Sequence, residues 1–224
     1  MGSLTAGIIE SESDLELHSR LGSGSNLEES LGADLLIEFT RPDVSENIVD
    51  FAIENNLRLI VGSSGWSKEK LDILAQKVSK SQATIVVIPN FSIGSVLASK
   101  FAADAAKYFD SVQITETHDI KKLDAPSGTA LFTSKLISES RNGLASKENF
   151  DDSPMFNGIP IKSIRIAGVH AEQEVLLEQP GESVFVRHVV TNHEVYGKGV
   201  LLAIRKTMGL SGLTVGLMQL LGES

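Results

Sequence analysis

The sequence contains no cysteine, which excludes disulfides, thiolate metal sites and a cysteine nucleophile. It also lacks an excess of positive charge. Lys and Arg number 20 against 29 Asp and Glu, for a formal net charge of −9 and a pI near 5.1, so no broad electrostatic footprint for nucleic acid is expected. Long hydrophobic runs are absent too. The longest, such as Ile85 to Pro89, fall far short of the roughly 20 residues of a membrane span. The opening stretch MGSLTAGIIESESDLEL has no basic region and is acidic from Glu10 onward, so it does not read as a signal peptide. A cytoplasmic protein is the expectation, with no metal site, no nucleic acid and no membrane among its partners. Internal repeats and low-complexity tracts are missing as well. What remains is ordinary for a globular chain: 224 residues, 42% hydrophobic and 22% charged. At roughly 150 residues per domain, this length implies one large or two small domains.

The first half alternates two periods. Leu35 to Phe39, Leu57 to Val61 and Ala83 to Ile88 are short apolar runs. Between them lie amphipathic stretches, with Val44, Ile48, Phe51 and Ala52 on one helical face and Leu71, Leu74 and Val78 on another. Ser67 is placed to cap the second helix. Strand and helix alternating at this spacing predict βαβ units and a parallel sheet, and strands this apolar fit a sheet covered on both faces. Such sheets hold ligands at the carboxyl ends of their strands. Those ends are Phe39-Thr40-Arg41-Pro42, Gly62-Ser63-Ser64-Gly65 and Pro89-Asn90-Phe91-Ser92; each also reads as ordinary turn chemistry.

The second half has a different rhythm. A helix is expected over 93–108, a strand over 112–117, a polar loop over 118–128, a helix over 129–141 and an exposed polar loop over 142–158. Three strands follow, over 161–167, 173–177 and 183–190, then a helix over 200–208 and a return strand near 213–217. Clustered strands predict an open mixed or antiparallel sheet. At the chain start, residues 3–10 read as a helix and Leu15-Glu16-Leu17 as the beginning of a strand. The glycine-rich turn that cradles a pyrophosphate ahead of such a helix is represented only by Met1-Gly2.

The densest chemistry lies in Glu116-Thr117-His118-Asp119-Ile120-Lys121-Lys122-Leu123-Asp124-Ala125-Pro126-Ser127-Gly128-Thr129-Ala130. A helix starting at Ser127-Gly128-Thr129 offers uncapped N–H groups and two hydroxyls to an anion. Lys122 adds a point charge, and His118 is a group that passes protons near neutral pH. Separately these residues read as an N-cap, a solvated lysine pair and a structural histidine. Together they suit reduction of a small anionic molecule: an anion clamp beside an acid. His170, His188 and His193 read as structural.

This segment resembles the signature of the dihydrodipicolinate reductase family, E-x-H-H-x-x-K-x-D-A-P-S-G-T-A. Glu38-Phe39-Thr40-Arg41-Pro42 is similar to the family's D-F-T-x-P, Gly62-Ser63-Ser64-Gly65 to its G-T-T-G, and Pro89-Asn90-Phe91-Ser92 to its P-N-F-S. Arg165-Ile166-Ala167-Gly168 and the ending Gly212-Leu213-Thr214-Val215-Gly216-Leu217 also look alike. The resemblance covers essentially the whole chain. It implies an α/β protein with a Rossmann-like dinucleotide-binding domain over 1–92 and 196–224. An α+β substrate and oligomerisation domain, an open mixed sheet over 93–195, completes it. It further implies NADH- or NADPH-dependent reduction of 4-hydroxy-tetrahydrodipicolinate on the diaminopimelate route to lysine, in a homotetramer. His118 matches the family's acid and Lys122 its substrate lysine. Ser127, Gly128 and Thr129 match the carboxylate turn. Gly2, Phe39, Thr40, Gly62, Ser63, Ser64, Pro89, Asn90 and Phe91 match positions that hold the cofactor. Arg20 and Gly22 stand where many relatives carry a ribose contact, and neither settles NADH against NADPH.

Two departures bear on this. The family opens with an apolar strand and a G-x-x-G-x-x-G turn, of which Met1-Gly2 matches only the last residues, so the first strand of the cofactor domain is expected to be missing. Second, Asp119 occupies the position of a substrate-facing histidine. An anion about 4 Å from a substrate carboxylate costs roughly 1 kcal/mol in water and roughly 4 at an effective dielectric near 20. An inward Asp119 is therefore expected to raise KM relative to an Asp119→His variant. The alternative reading is a catalytically impaired homologue that persists as an oligomeric binding protein.

Overall fold

The computed structural model describes residues 1–149 and 151–222. Its elements, in chain order, are α1 (Gly2–Ser11), β1 (Leu36–Glu38), α2 (Pro42–Glu54), β2 (Arg58–Val61), α3 (Lys68–Val78), β3 (Thr84–Val87), α4 (Ile93–Ala106), β4 (Ser111–His118), α5 (Gly128–Ser140), β5 (Met155–Phe156), β6 (Ile159–Arg165), β7 (Ala171–Gln179), β8 (Glu182–Val190), α6 (Gly197–Thr207) and β9 (Gly212–Val215). The chain divides into two compact units, Met1–Ser92 with Tyr196–Ser224, and Ile93–Val195.

The first unit carries a parallel sheet in the order β1-β2-β3-β9. Leu59, Ile60, Val61, Ile85, Val86 and Val87 are all buried, as expected for strands covered on both faces. Pro42 opens α2 with a pre-set φ at the helix start, and Ser67 caps α3 by accepting from the Lys70 N–H at 3.3 Å. Ile48, Val49, Ala52, Leu74 and Val78 pack with the strands into one core. The return of the chain end as β9, in register with β3 from Thr84↔Gly212 to Val87↔Val215, completes the Rossmann-like arrangement.

The second unit is a mixed five-stranded sheet in the order β5-β6-β4-β7-β8. β4 runs parallel to β6 and antiparallel to β7. Helices α4 and α5 pack on one face around Val112, Ile114, Ile137, Ile159, Ile161, Val175 and Leu177. Arg141 closes the far end of α5, donating to the carbonyls of Ala106, Phe109, Asp110, Leu144 and Ala145.

Two expectations change. Leu15 to Leu17 form no strand: a strand needs a ladder partner, and none of the described strands of this sheet pairs with them. The segment is instead held by ion pairs from Arg205 to Glu12 at 2.7 Å and Asp14 at 2.8 Å. The loop expected over 142–158 contains β5, which pairs Met155↔Pro160 and Phe156↔Ile159. Two residues are too few for a period to show in sequence. No helix among the described residues is long and apolar enough to cross a membrane.

Candidate functional site

In the first unit the carboxyl ends of β1, β2 and β3 lie side by side because their strands pair in parallel. The Phe39 and Phe91 rings meet edge-on with centroids 5.6 Å apart, so the first and third turns touch. The second turn fits against the first through Gly62, whose N–H donates to the Glu38 carbonyl at 2.8 Å. A Cβ on Gly62 would sit 2.4 Å from the Phe39 ring, so only glycine allows this approach. Asn90 Oδ1 accepts from the Ser92 N–H at 2.9 Å and shapes the third turn. Thr40, Ser64 and Pro89 are exposed, whereas Ser63 is buried and its hydroxyl bonds the Glu38 carboxylate at 2.7 Å. Gly2 is the exposed first residue of α1.

In the second unit His118 ends β4. Its Nδ1 is paired with Glu116 Oε2, which leaves Nε2 as the nitrogen for a reacting atom. The two side chains share a strand face because they stand two residues apart. Glu116 is fully buried. It also receives Arg165, Nη1 to Oε2 at 3.2 Å and Nη2 to Oε1 at 3.0 Å. Burial opposes ionisation of Glu116, but the hydrogen bonds from His118, Ser163 and Arg165 outweigh it and hold its pKa at about 2. Arg165 reaches further, donating to the carbonyls of Lys122 at 3.3 Å and Asp124 at 2.6 Å. It thereby fixes the loop that leads to α5.

That loop carries Lys122, whose ammonium is 2.8 Å from Asp124 Oδ1 and is partly exposed. The Lys122 contact lowers the Asp124 pKa. Ser127 caps α5, its Oγ accepting from the Ala130 N–H at 3.2 Å. Gly128 and Thr129 are thus the first two helical residues, and their N–H groups have no acceptor inside the helix. With the helix dipole behind them they form a place for an anion. Asp119 does not present a bare charge. Its oxygens accept from the N–H groups of Lys121 at 3.0 Å and Gly168 at 2.7 Å, and these bonds lower its pKa.

Sequence reasoning left two of these groups without a role. Glu116 was detectable from the alternation that puts it on the His118 face. Arg165 was not, because it reaches Glu116 only through the β4–β6 pairing that sets it opposite His118, 47 positions along the chain. Of the other histidines, His170 and His193 stack edge-on at 5.3 Å. His188 is half-buried, and desolvation pushes its pKa down.

Comparison with known proteins gives the family. Residues 1–91 match the family model described as dihydrodipicolinate reductase, N-terminus, and residues 94–221 match its C-terminus. The 4-hydroxy-tetrahydrodipicolinate reductase of Clavibacter michiganensis subsp. michiganensis is 37% identical over 227 residues, covering 99% of this chain and 82% of that protein. The one from Mycolicibacterium smegmatis is 38% identical over 234 residues, covering 100% and 96%. A solved structure, the dipicolinate-bound dihydrodipicolinate reductase from Paenisporosarcina sp. TG-14, superposes with a TM-score of 0.80 at 28% identity, over 97% of this chain and 94% of that one. With both halves of the chain matched and relatives aligned along nearly all of it, the chain belongs to the dihydrodipicolinate reductase family.

Proposed function

We propose that this chain reduces 4-hydroxy-tetrahydrodipicolinate with NADH or NADPH, in the diaminopimelate route to lysine, and that the residues described above carry the reaction. It is an oxidoreductase, and its cofactor is a nicotinamide nucleotide. The strand-end turns fit such a group. Gly62 lets the second turn close onto the Phe39 ring, where a Cβ would clash, the Phe39–Phe91 pair gives an apolar wall, and Thr40 and Ser64 are exposed. When bound, the nicotinamide supplies hydride.

The second unit supplies the rest. Lys122 and the Gly128 and Thr129 N–H groups hold the substrate carboxylates, with one carboxylate taking the place of Asp124 on Lys122. Ser127 keeps the helix start in shape. His118 holds Nδ1–H on Glu116 and presents its other proton on Nε2, which it gives to the centre made negative by hydride addition. The single observation behind this reading is the Glu116–His118 pair standing at the head of the loop that carries Lys122 and the α5 start.

The test is kinetic. His118→Gln is expected to lower kcat by about 10²- to 10⁴-fold, the worth of a positioned acid, while leaving dipicolinate binding measurable by calorimetry. Lys122→Met should instead weaken dipicolinate. Normal turnover by His118→Gln removes His118 from the role. Absence of NADH and NADPH binding in calorimetry favours the oligomeric binding-protein reading.

Self-association into a homotetramer and a cytoplasmic location belong to the same proposal. Support for assembly comes from the sheet face away from α4 and α5, where Phe185 and Val189 are 58% and 49% exposed on the edge strand β8, which pairs with β7 on one side.

A further inference from the structure

Glu38 is a buried carboxylate, 4% exposed, to which the reaction above assigns nothing. It ends β1 and accepts four hydrogen bonds of 2.7 Å. Oε2 takes the N–H and Oγ–H of Thr40, and Oε1 takes the hydroxyls of Ser45 and Ser63. Ser45, on α2, is fully buried and Ser63 is 4% exposed. Ser63 Oγ lies 2.8 Å from Ser45 Oγ and receives the indole N–H of Trp66 at 3.4 Å. One side chain therefore ties together the turn after β1, the first turns of α2 and the turn after β2. Among the described residues these donors are neutral, and they compensate its charge. Burial of an anion without them is costly.

We propose that Glu38 is the positioning residue of the cofactor turns. Its carboxylate fixes Thr40 and the Gly62–Gly65 turn in the one arrangement that takes the nicotinamide cofactor, and so sets cofactor affinity without touching the cofactor. Ser63 acts through it rather than on the cofactor, because its hydroxyl is spent inward. The inference rests on the reading that these turns hold the cofactor. Trp66, the single tryptophan of the chain, is built into the same cluster and reports on it optically.

The experiment compares Glu38→Gln, Ser63→Ala and Gly62→Val with the parent. NADH and NADPH dissociation constants are read by calorimetry, with Trp66 emission and dipicolinate affinity alongside. Glu38→Gln keeps the size but cannot accept at all four donors, and it is expected to weaken cofactor about tenfold or more, the scale of hydrogen bonds to a charged acceptor. Its Trp66 emission should shift, while dipicolinate affinity and kcat at saturating cofactor stay within about twofold. If Glu38→Gln does not fold, Ser63→Ala carries the test, with a smaller loss of about threefold to tenfold. Gly62→Val drives a side chain into the Phe39 ring and serves as the control on the turns. Cofactor affinity kept in Gly62→Val overturns the reading of the turns and the inference with it. Affinity lost in Gly62→Val but unchanged in Glu38→Gln and Ser63→Ala overturns the inference alone.

Discussion

At the scale of single residues, two carboxylates, Glu116 and Asp119, are engaged by groups of the protein itself. Glu116 is ionised because its donors outweigh its burial, and this gives a pH signature. Its pKa falls from 4.5 in the unfolded chain to about 2 in the fold. A depressed folded value means stability that is present above pH 4.5 and lost as the pH falls through about 2. Linkage puts it on the order of 3 kcal/mol. Glu116→Gln should therefore unfold more easily in urea at pH 7, with the difference from the parent shrinking between about pH 4.5 and 2. A constant gap down to pH 2 would contradict the assignment. Asp119 works differently. Its carboxylate spans the N–H groups of Lys121 and Gly168, so replacing it removes two bonds that hold the loop of Lys122. The expected direction for Asp119→His thus reverses from a gain to a loss, a KM for the dicarboxylate raised severalfold, read in steady-state kinetics at saturating cofactor.

At the scale of elements, legibility followed from how local each signal is. The runs at 57–61 and 83–88 showed as strands because burial on both faces demands a nearly continuous apolar sequence. Ser67 showed as a cap because its partner Lys70 is three residues away. Leu15 to Leu17 misled because a strand exists only with its neighbour. Arg165 carried no signal because its partner is set by strand register. Helix α6 gives the sharpest case of a contact invisible in sequence. A Cβ on Gly199 would fall 1.9 Å from the Phe91 carbonyl oxygen, and that backbone atom cannot swing away. Gly199→Ala gains about 1 kcal/mol of helix propensity, yet overpacking costs typically 1–3 kcal/mol and more against a rigid backbone. A lower melting temperature and weaker NADH or NADPH binding, through displacement of the Phe91 turn, are the expected outcome in thermal unfolding and calorimetry. An unchanged melting temperature would mean that α6 does not press on that turn.

At the scale of the whole molecule, a strongly acidic chain has to associate through a surface that is not itself acidic. The outer sheet face of the second unit meets that condition. Leu176 and Phe185 are register partners there, as are Glu174 and Arg187, and Glu172 and Val189. Arg187 is paired with Glu172 and lies 3.9 Å from Glu174, so part of the acidic charge on this face is neutralised locally. The exposed apolar groups stand beside it on an edge strand with an open ladder, the feature that isolated sheets cover or blunt. Phe185→Glu places an unpaired anion at the centre of this patch. If the face joins copies of the chain, light scattering should find four 24.0 kDa chains for the parent and smaller species for the variant. The circular dichroism spectrum should be preserved, because Phe185 is 58% exposed in the single chain and contributes little to its core. A parent that runs as a single chain at micromolar concentration would remove the tetramer from the proposal. A variant that stays tetrameric would move the interface to another face.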